Sequence, residues 1–240
     1  MTIVALGAVK GAPGVTTTAL ALAAVWPPSR SVVVAEVDPD GGVLAARREL
    51  ALEPGLVTLA AALRRGGDAV ATHTQALGTN VRALVAPPSA EQTRTALAVG
   101  GERLWQAFDR LTDDLLVDCG RLTASSPVMP VARRAATTLL LTRPRLEDVA
   151  LVRERVSALR REGVDPHVVL AGDGPYADAE VAAAVDAPVA AVIAADRRSA
   201  DALDTRSARS VSPRAPLLRS ARHLGAALLA AVGHTTGATP

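Results

Sequence analysis

A glycine-rich segment near the amino end carries the residue types of a phosphate-binding loop. The segment Val9–Thr18 reads VKGAPGVTTT and lies between an apolar run and a stretch with helical character. Gly11 and Gly14 allow a tight turn, which aims backbone N–H groups and a helix amino terminus at one anion. The hydroxyl of Thr16 or Thr17 is a suitable ligand for Mg²⁺. This combination predicts binding of a phosphate-bearing ligand together with its metal ion.

The segment departs from the ordinary phosphate-binding loop, G-x-x-x-x-G-K-S/T, at two positions. Val9 replaces the first glycine, and Val15 replaces the lysine that neutralises phosphate charge. Loss of one charge-assisted hydrogen bond predicts an affinity lower by about one to two orders of magnitude. A missing cation costs phosphoryl transfer more, on the order of 10³ in rate. Lys10 is the only lysine among 26 basic residues, which makes its position in this loop informative.

The loop resembles the deviant Walker A box of ParA/MinD-type ATPases, K-G-G-x-G-K-T-T. The positions that match are Lys10, Gly11, Gly14, Thr16 and Thr17. Lys10 corresponds to the signature lysine of that family. Ala12 is a mild departure from the pattern, and Val15 is a serious one because it takes the place of the second lysine.

Further segments extend the resemblance over most of the chain. VVVAEVDPDGG resembles the switch I segment of the family, in which Asp38 and Pro39 match and Glu36 replaces the first aspartate. DDLLVDCG resembles the Walker B strand, with Asp118 near its carboxyl end. VVLAGDGPY and PVAAVIAADRRSADAL resemble the closing strands whose loops surround the base, although the asparagine usual in the first of them is absent.

The resemblance implies a site for ATP and Mg²⁺. The residues implied for the nucleotide are Lys10, Gly11, Ala12, Pro13, Gly14, Val15, Thr16 and Thr17. The residues implied for Mg²⁺ are Thr16, Asp38 and Asp118. By the same resemblance, Asp38 orients the attacking water and Lys10 supplies charge to the phosphates, from its own subunit or across a homodimer. These two residues are therefore the expected catalytic pair.

Short apolar runs alternate with helical stretches along the chain, which is typical of a mostly parallel α/β sheet. The predicted strands are Thr2–Val9, Ser31–Val37, Val81–Ala86, Leu115–Gly120, Thr137–Thr142, His167–Gly172 and Pro188–Ile193. The main helices predicted after the loop helix are Glu91–Leu111, interrupted at Gly100–Gly101, Leu146–Glu162 and Pro216–Val232. The resemblance implies a doubly wound P-loop fold flanked by helices. We expect one P-loop NTPase-like domain over residues 1–232 and a disordered tail over 233–240.

Composition excludes several other classes of protein. The 240 residues are 49% hydrophobic and 21% charged, which is enough apolar material for a folded core. Aromatic residues make up only 2%, which argues against binding of single strands by base stacking. The single cysteine, Cys119, rules out a disulfide framework and a cysteine-based zinc site. No apolar run reaches the length of a membrane span, and we expect a cytoplasmic protein.

Several functions are compatible with the sequence. The first is a nucleotide-linked homodimeric switch that positions or regulates a larger assembly involved in partitioning, pilus formation or secretion. The second is a catalytically inactive adaptor for a Tad/Flp-type pilus or a secretion system. The third is a chromosome-partitioning ATPase that binds DNA nonspecifically through the arginine-rich stretch Arg197–Arg222. Slow hydrolysis, binding without turnover and a nucleotide-free scaffold are all compatible with Val15.

Overall fold

The computed structural model describes residues 1–11, 13–67, 69–204 and 211–235. In these ranges, eight strands form a single sheet and nine α-helices pack on its two faces. Ala12, one of the residues predicted to contact nucleotide, lies outside the described residues, as does most of the predicted tail.

The sheet is mostly parallel. Its strands are β1 (Ile3–Ala8), β2 (Val32–Glu36), β3 (Gln75–Gly78), β4 (Val81–Leu84), β5 (Asp114–Arg121), β6 (Thr137–Thr142), β7 (Pro166–Ala171) and β8 (Val189–Ile193). They lie in the order β3-β4-β2-β5-β1-β6-β7-β8, and among them only β3 runs antiparallel to its neighbour. The chain order reverses at β1, which pairs with β5 on one side and β6 on the other. The predicted doubly wound α/β architecture is therefore confirmed.

Helices cover both faces of the sheet. They are α1 (Val15–Ala24), α2 (Leu44–Arg47), α3 (Leu56–Arg64), α4 (Ala90–Asp109), α5 (Met129–Arg134), α6 (Leu146–Arg161), α7 (Asp178–Val185), α8 (Arg197–Asp204) and α9 (Pro216–Thr235). One face packs against α1, α2, α8 and α9, and the other packs against α3 to α7.

Polar residues cluster where the buried strands end. All six residues of β1 are buried, as expected for a parallel strand covered on both faces. The strand register places both Leu6 of β1 and Glu36 of β2 beside Asp118 of β5. Ligands bind at the carboxyl edge of such sheets, close to the point where the strand order reverses. The sheet thus brings three predicted segments, the glycine loop, the switch I segment and the Walker B strand, to one place.

The predicted elements agree with the structure apart from a few boundaries. All seven predicted strands are present, with ends within two residues of those expected. The predicted break in α4 is found at Gly101, whose φ of 48° is not helical. The closing helix, expected to end at Val232, continues to Thr235, because a glycine at position 233 weakens a helix without forbidding it. β3 was not predicted, because its sequence QALG lacks the β-branched and aromatic residues typical of strands.

A hydrogen-bond network at the opposite edge of the sheet holds the first residues of β5. Asp114 is 2% exposed and accepts hydrogen bonds from the Thr2 N–H and from Trp26 Nε1, both at 2.8 Å. Arg30 donates to both of its oxygens, at 2.5 and 2.6 Å. Burial alone raises the pKa of Asp114, but the hydrogen bonds from Arg30 and Trp26 outweigh this effect and hold the pKa below its ordinary value. The network ties the amino end of β1 and the segment after α1 to β5.

We expect Asp114→Asn to lower the free energy of unfolding by about 1–3 kcal/mol at neutral pH, because it removes a charge-assisted set of hydrogen bonds. A lowered folded-state pKa stabilises the fold above the unfolded value of about 3.9, and this stabilisation is lost as pH falls further. Urea unfolding of both proteins between pH 3 and 8 measures the difference, which should shrink below about pH 4. Asp113→Asn is the neighbouring control. A difference that stays constant down to pH 3 would show that charge is not the cause.

Candidate functional site

The glycine loop connects β1 to α1 at the carboxyl edge of the sheet. Gly11 and Gly14 have positive φ angles of 67° and 98°, a conformation that favours glycine. Gly14 is the amino-terminal cap of α1, and it contributes no side-chain hydrogen bond to the helix end. The first N–H groups of a helix lack acceptors within it, and the positive end of the helix dipole attracts anions. This geometry suits a phosphate group.

The two lysine positions of the resembled motif have different environments. Val15 is the first residue of α1, is 8% exposed and packs in the hydrophobic core. The valine side chain offers no charge to a phosphate. Lys10 is exposed and lies beside Pro13 and Leu151 around a small cavity next to the loop. Lys10 is therefore an accessible cation at the loop, whereas the other lysine position belongs to the core.

Thr16 and Asp118 are in direct contact. The Thr16 hydroxyl donates a hydrogen bond to Asp118 Oδ2 at 2.5 Å, across 102 positions of sequence. Asp118 is buried in β5, and its other oxygen accepts the N–H of Gly120 at 3.0 Å. Burial raises the pKa of Asp118 to about 6, and the negative charge of Asp38 adds to this rise. Two of the three predicted Mg²⁺ ligands thus touch, and the third is near enough to act on them electrostatically.

Asp38 lies in the loop after β2 with its carboxylate against β5. Its Oδ1 accepts the N–H of Asp40 at 2.9 Å. A Cβ atom added to Gly120 would lie 1.9 Å from Asp38 Cγ, so the carboxylate occupies the space that a side chain would need. Gly120 also has a φ of 58°, and burial raises the pKa of Asp38. The sequence did not predict a role for Gly120, although this residue ends the DDLLVDCG segment.

Glu36 holds the loop that carries Asp38. It is 1% exposed, and its Oε1 accepts the N–H groups of Val43 and Leu44 at 2.7 and 2.9 Å. Its Oε2 accepts the N–H of Ala86 at 3.1 Å. Burial raises the pKa of Glu36 to about 7, although the three N–H donors favour the charged form. Glu36, which stands where the resembled segment has an aspartate, therefore fixes the start of α2.

Arg47 on α2 makes two contacts near the loop that the sequence did not predict. Its Nη2 donates to Thr17 Oγ1 at 2.8 Å, and its Nε donates to Asp204 Oδ1 of α8 at 2.7 Å. Its positive charge partly offsets the rise that burial causes in the pKa of Asp118. Arg47 thus connects α2 to the loop helix α1 and to α8. These partners are 30 and 157 positions away, so no local sequence signal points to them.

A cleft of ≈ 800 Å³ opens beside the glycine loop. Its lining includes Pro13, Gly14, Thr17, Arg143, Gly172 and Asp196. This size lies within the range of ligand-binding clefts. Residues of the loops after β7 and β8, which the resemblance places near the base, line the same cleft.

The oxygen donors at the loop have the chemistry of a Mg²⁺ site. Thr16 offers a hydroxyl, and Asp38 and Asp118 offer carboxylates, which are hard ligands of the kind Mg²⁺ prefers. Within the described residues, no group of three or more His, Cys, Asp or Glu side chains is placed to hold a metal ion. Mg²⁺ is commonly held by one or two carboxylates together with substrate phosphates and water. The donor set therefore fits Mg²⁺ shared with a phosphate-bearing ligand.

Other predicted surface features are described only in part. Residues 205–210 of the arginine-rich stretch Arg197–Arg222 lie outside the described ranges. Within the rest of that stretch, Arg197 is 94% exposed and lies 3.8 Å from Asp201, and Arg222 donates to the Pro213 carbonyl at 3.2 Å. Of the helices in the described part of the chain, none is long and apolar enough to cross a membrane.

Comparison with known proteins gives matches in structure. No protein-family model and no curated protein matches the sequence. The ParA family ATPase from Chlorobium tepidum TLS is similar, with 14% identity, a TM-score of 0.79 and coverage of 94% of this chain and 97% of that chain. MinD from Pyrococcus horikoshii OT3, solved with Mg-ADP, has 18% identity, a TM-score of 0.73 and coverage of 93% and 94%. The MinC:MinD complex from Aquifex aeolicus has 12% identity, a TM-score of 0.68 and coverage of 96% of both chains.

These similarities extend over nearly the whole length of each chain. Identities of 12–18% are low, so the matches speak for the fold rather than for the activity. The agreement includes the mostly parallel eight-stranded sheet with helices on both faces. The chain has the fold of the ParA/MinD-type ATPases.

Proposed function

We propose that this protein binds ATP and Mg²⁺ at the glycine loop and acts as a nucleotide-linked homodimeric switch, with weak hydrolysis at most. The observation that carries the proposal is the hydrogen bond from Thr16 to the buried Asp118, directly beside the loop. A hydroxyl and a carboxylate in contact at this edge of the sheet form an oxygen pair suited to a phosphate-bound metal ion. The similar MinD structure with Mg-ADP supports the choice of nucleotide.

Different residues at the site would bind the phosphates and the metal ion. The backbone around Gly11 and Gly14 holds the phosphates, and Thr16 and Asp118 hold Mg²⁺. When bound, Mg²⁺ neutralises the negative charge on the phosphate oxygens. Asp38 is held against Gly120, where its carboxylate can orient a water molecule.

Hydrolysis is expected to be slow because Val15 lies in the core without a charge. Phosphoryl transfer depends mainly on positioning and electrostatic stabilisation, so a missing cation affects turnover more than binding. The exposed Lys10 is the cation that we propose compensates in part. Nucleotide binding without rapid turnover is the behaviour of a switch.

Lys10 and its surroundings favour a homodimer. The lysine is exposed at the loop and shares a small cavity with Leu151 of α6. Leu146, at the start of the same helix, is 67% exposed, and Leu151 is 40% exposed. Apolar side chains beside an accessible cation suit a surface that a second copy of the chain would cover. Lys10 would then contact the phosphates of its partner.

The output of the switch is proposed to be the placement or regulation of a larger protein assembly of the partitioning, pilus or secretion type. The similar MinC:MinD complex is an example of this fold with a protein partner. Nonspecific DNA contact through Arg197–Arg222 is a second candidate interaction, favoured by the exposed guanidinium of Arg197.

Calorimetry should detect micromolar binding of ATP with Mg²⁺. Lys10→Ala should weaken it about tenfold to hundredfold through loss of one charge-assisted hydrogen bond. Lys10→Arg is the matched control, because it keeps the positive charge and should retain most of the affinity. Absence of binding by the unmodified protein up to millimolar ATP would refute the switch and leave a scaffold that has kept the fold of an ATPase.

Sedimentation with Mg²⁺ and a non-hydrolysable ATP analogue should show a dimer, and without nucleotide a monomer. Leu151→Glu should abolish the dimer, because it places a charge in the apolar part of the proposed interface and offers Lys10 a carboxylate of its own chain in place of the partner's phosphates. Val99→Glu is the matched control, since Val99 of α4 is equally exposed, at 40%, but lies away from the loop. If both variants dimerise like the unmodified protein, the interface is elsewhere.

Gly120→Ala should lower the free energy of unfolding by about 2–4 kcal/mol, from an unfavourable positive φ and from overlap with the Asp38 carboxylate. Any ATP turnover should fall as well, since Asp38 must move. In an Asp38→Ala background the overlap is relieved, and the cost should drop to about 1–2 kcal/mol. Denaturant unfolding of the four proteins measures this coupling. Equal costs in both backgrounds would mean that Gly120 does not position Asp38.

A further inference from the structure

Val15 leaves the proposed phosphate site without its ordinary cation, and the strand next to the loop ends close to another one. The strand beside β1 on one side is β6, and its last residues run parallel to the start of the loop. Ala8 of β1 is in register with Leu141 of β6. Two residues beyond each of these positions lie Lys10 and Arg143, so the strand pairing brings the two cations to neighbouring places.

Arg143 lines two cavities that meet at the glycine loop. In the larger cleft it lies with Pro13, Gly14 and the residues after β7 and β8. In the smaller cavity it lies with Lys10, Pro13 and Asp148. Arg143 is therefore the cation that lies between the exposed lysine and the cleft proposed for the nucleotide.

The guanidinium of Arg143 is available for a ligand. The residue is exposed, and it forms no ion pair with any carboxylate of the described residues. Arg47, a second arginine near the loop, is engaged by Asp204 and Thr17. Arg197 lines the cleft from α8, but it lies near Asp201 and follows β8, two strands further from β1 than β6.

We propose that Arg143 supplies to the nucleotide phosphates the positive charge that Val15 lacks. This inference rests on the proposed function, because it assigns a residue to the same site. A guanidinium presents paired N–H donors that match two phosphate oxygens, and it stays charged at all physiological pH values. Its approach from β6, rather than from within the loop, leaves Val15 free to pack in the core.

The test is calorimetry of Mg²⁺-ATP with four proteins: unmodified, Arg143→Ala, Arg143→Lys and Arg145→Ala. Arg143→Ala should weaken binding about tenfold to hundredfold, and Arg143→Lys should recover part of the loss. Arg145→Ala is the matched control, because Arg145 is also exposed, lies two residues further on and does not line the cleft. Its affinity should stay within about twofold of the unmodified protein, as expected for a surface charge outside the site.

Inorganic tripolyphosphate, as a competitor of ATP, tests whether Arg143 acts on the phosphates. Arg143→Ala should weaken the binding of tripolyphosphate by a factor similar to that for ATP. Unchanged ATP binding in Arg143→Ala, an equal loss in Arg145→Ala, or a loss for ATP without one for tripolyphosphate would each overturn the proposal. If the unmodified protein binds neither ligand, the proposed function fails, and the role of Arg143 fails with it. If the unmodified protein binds both ligands and Arg143→Ala binds them with the same affinities, only the role of Arg143 fails.

Discussion

The buried carboxylate of Asp118 is the constraint on which the arrangement of the site depends. A charged group inside a protein must be paired or hydrogen-bonded, because its desolvation is costly. Asp118 meets this requirement through the Thr16 hydroxyl on one oxygen and the Gly120 N–H on the other. The first bond fixes α1 and its loop relative to β5, and the second requires the tight backbone at Gly120. The loop, the central strand and the carboxylate are therefore one unit.

A second buried carboxylate, that of Glu36, extends this unit to the loop between β2 and α2. Glu36 lies in register with Asp118 on the neighbouring strand and binds the backbone where α2 begins. Arg47 then carries the connection from α2 to Thr17 and to Asp204 of α8. A movement of the glycine loop can thus shift α2 and α8 through direct contacts. Such a continuous set of polar contacts is a physical basis for a switch, since a ligand that prefers one arrangement shifts the population towards it.

The sequence predicts the sheet well because the signal is local. The apolar runs of the strands and the glycine loop can be read within ten residues, and a parallel sheet then places Asp38 and Asp118 at one edge. Contacts between distant side chains have no such signal. The engagement of Thr17 by Arg47 and the approach of Asp38 to Gly120 both depend on how α2 and the loop after β2 pack. Arg143 is an intermediate case. The sequence predicts that it follows the end of β6, but it does not predict that Lys10 and the cleft lie beside it.

Val15, which stands where the resembled motif has its second lysine, has two opposing consequences for the proposed site. Val15 packs in the core, where burying a valine side chain stabilises the fold by roughly 1.5–3 kcal/mol. In the proposed site the charge would then come from Lys10 and Arg143, which are long exposed side chains that lose rotamer freedom when a ligand fixes them. Flexible cations can attract a phosphate, but preorganised ones stabilise a transition state far better, because no reorganisation is needed during reaction. In the proposed site, the valine that strengthens the core would therefore favour binding over turnover, which is the property expected of a switch rather than of a rapid ATPase.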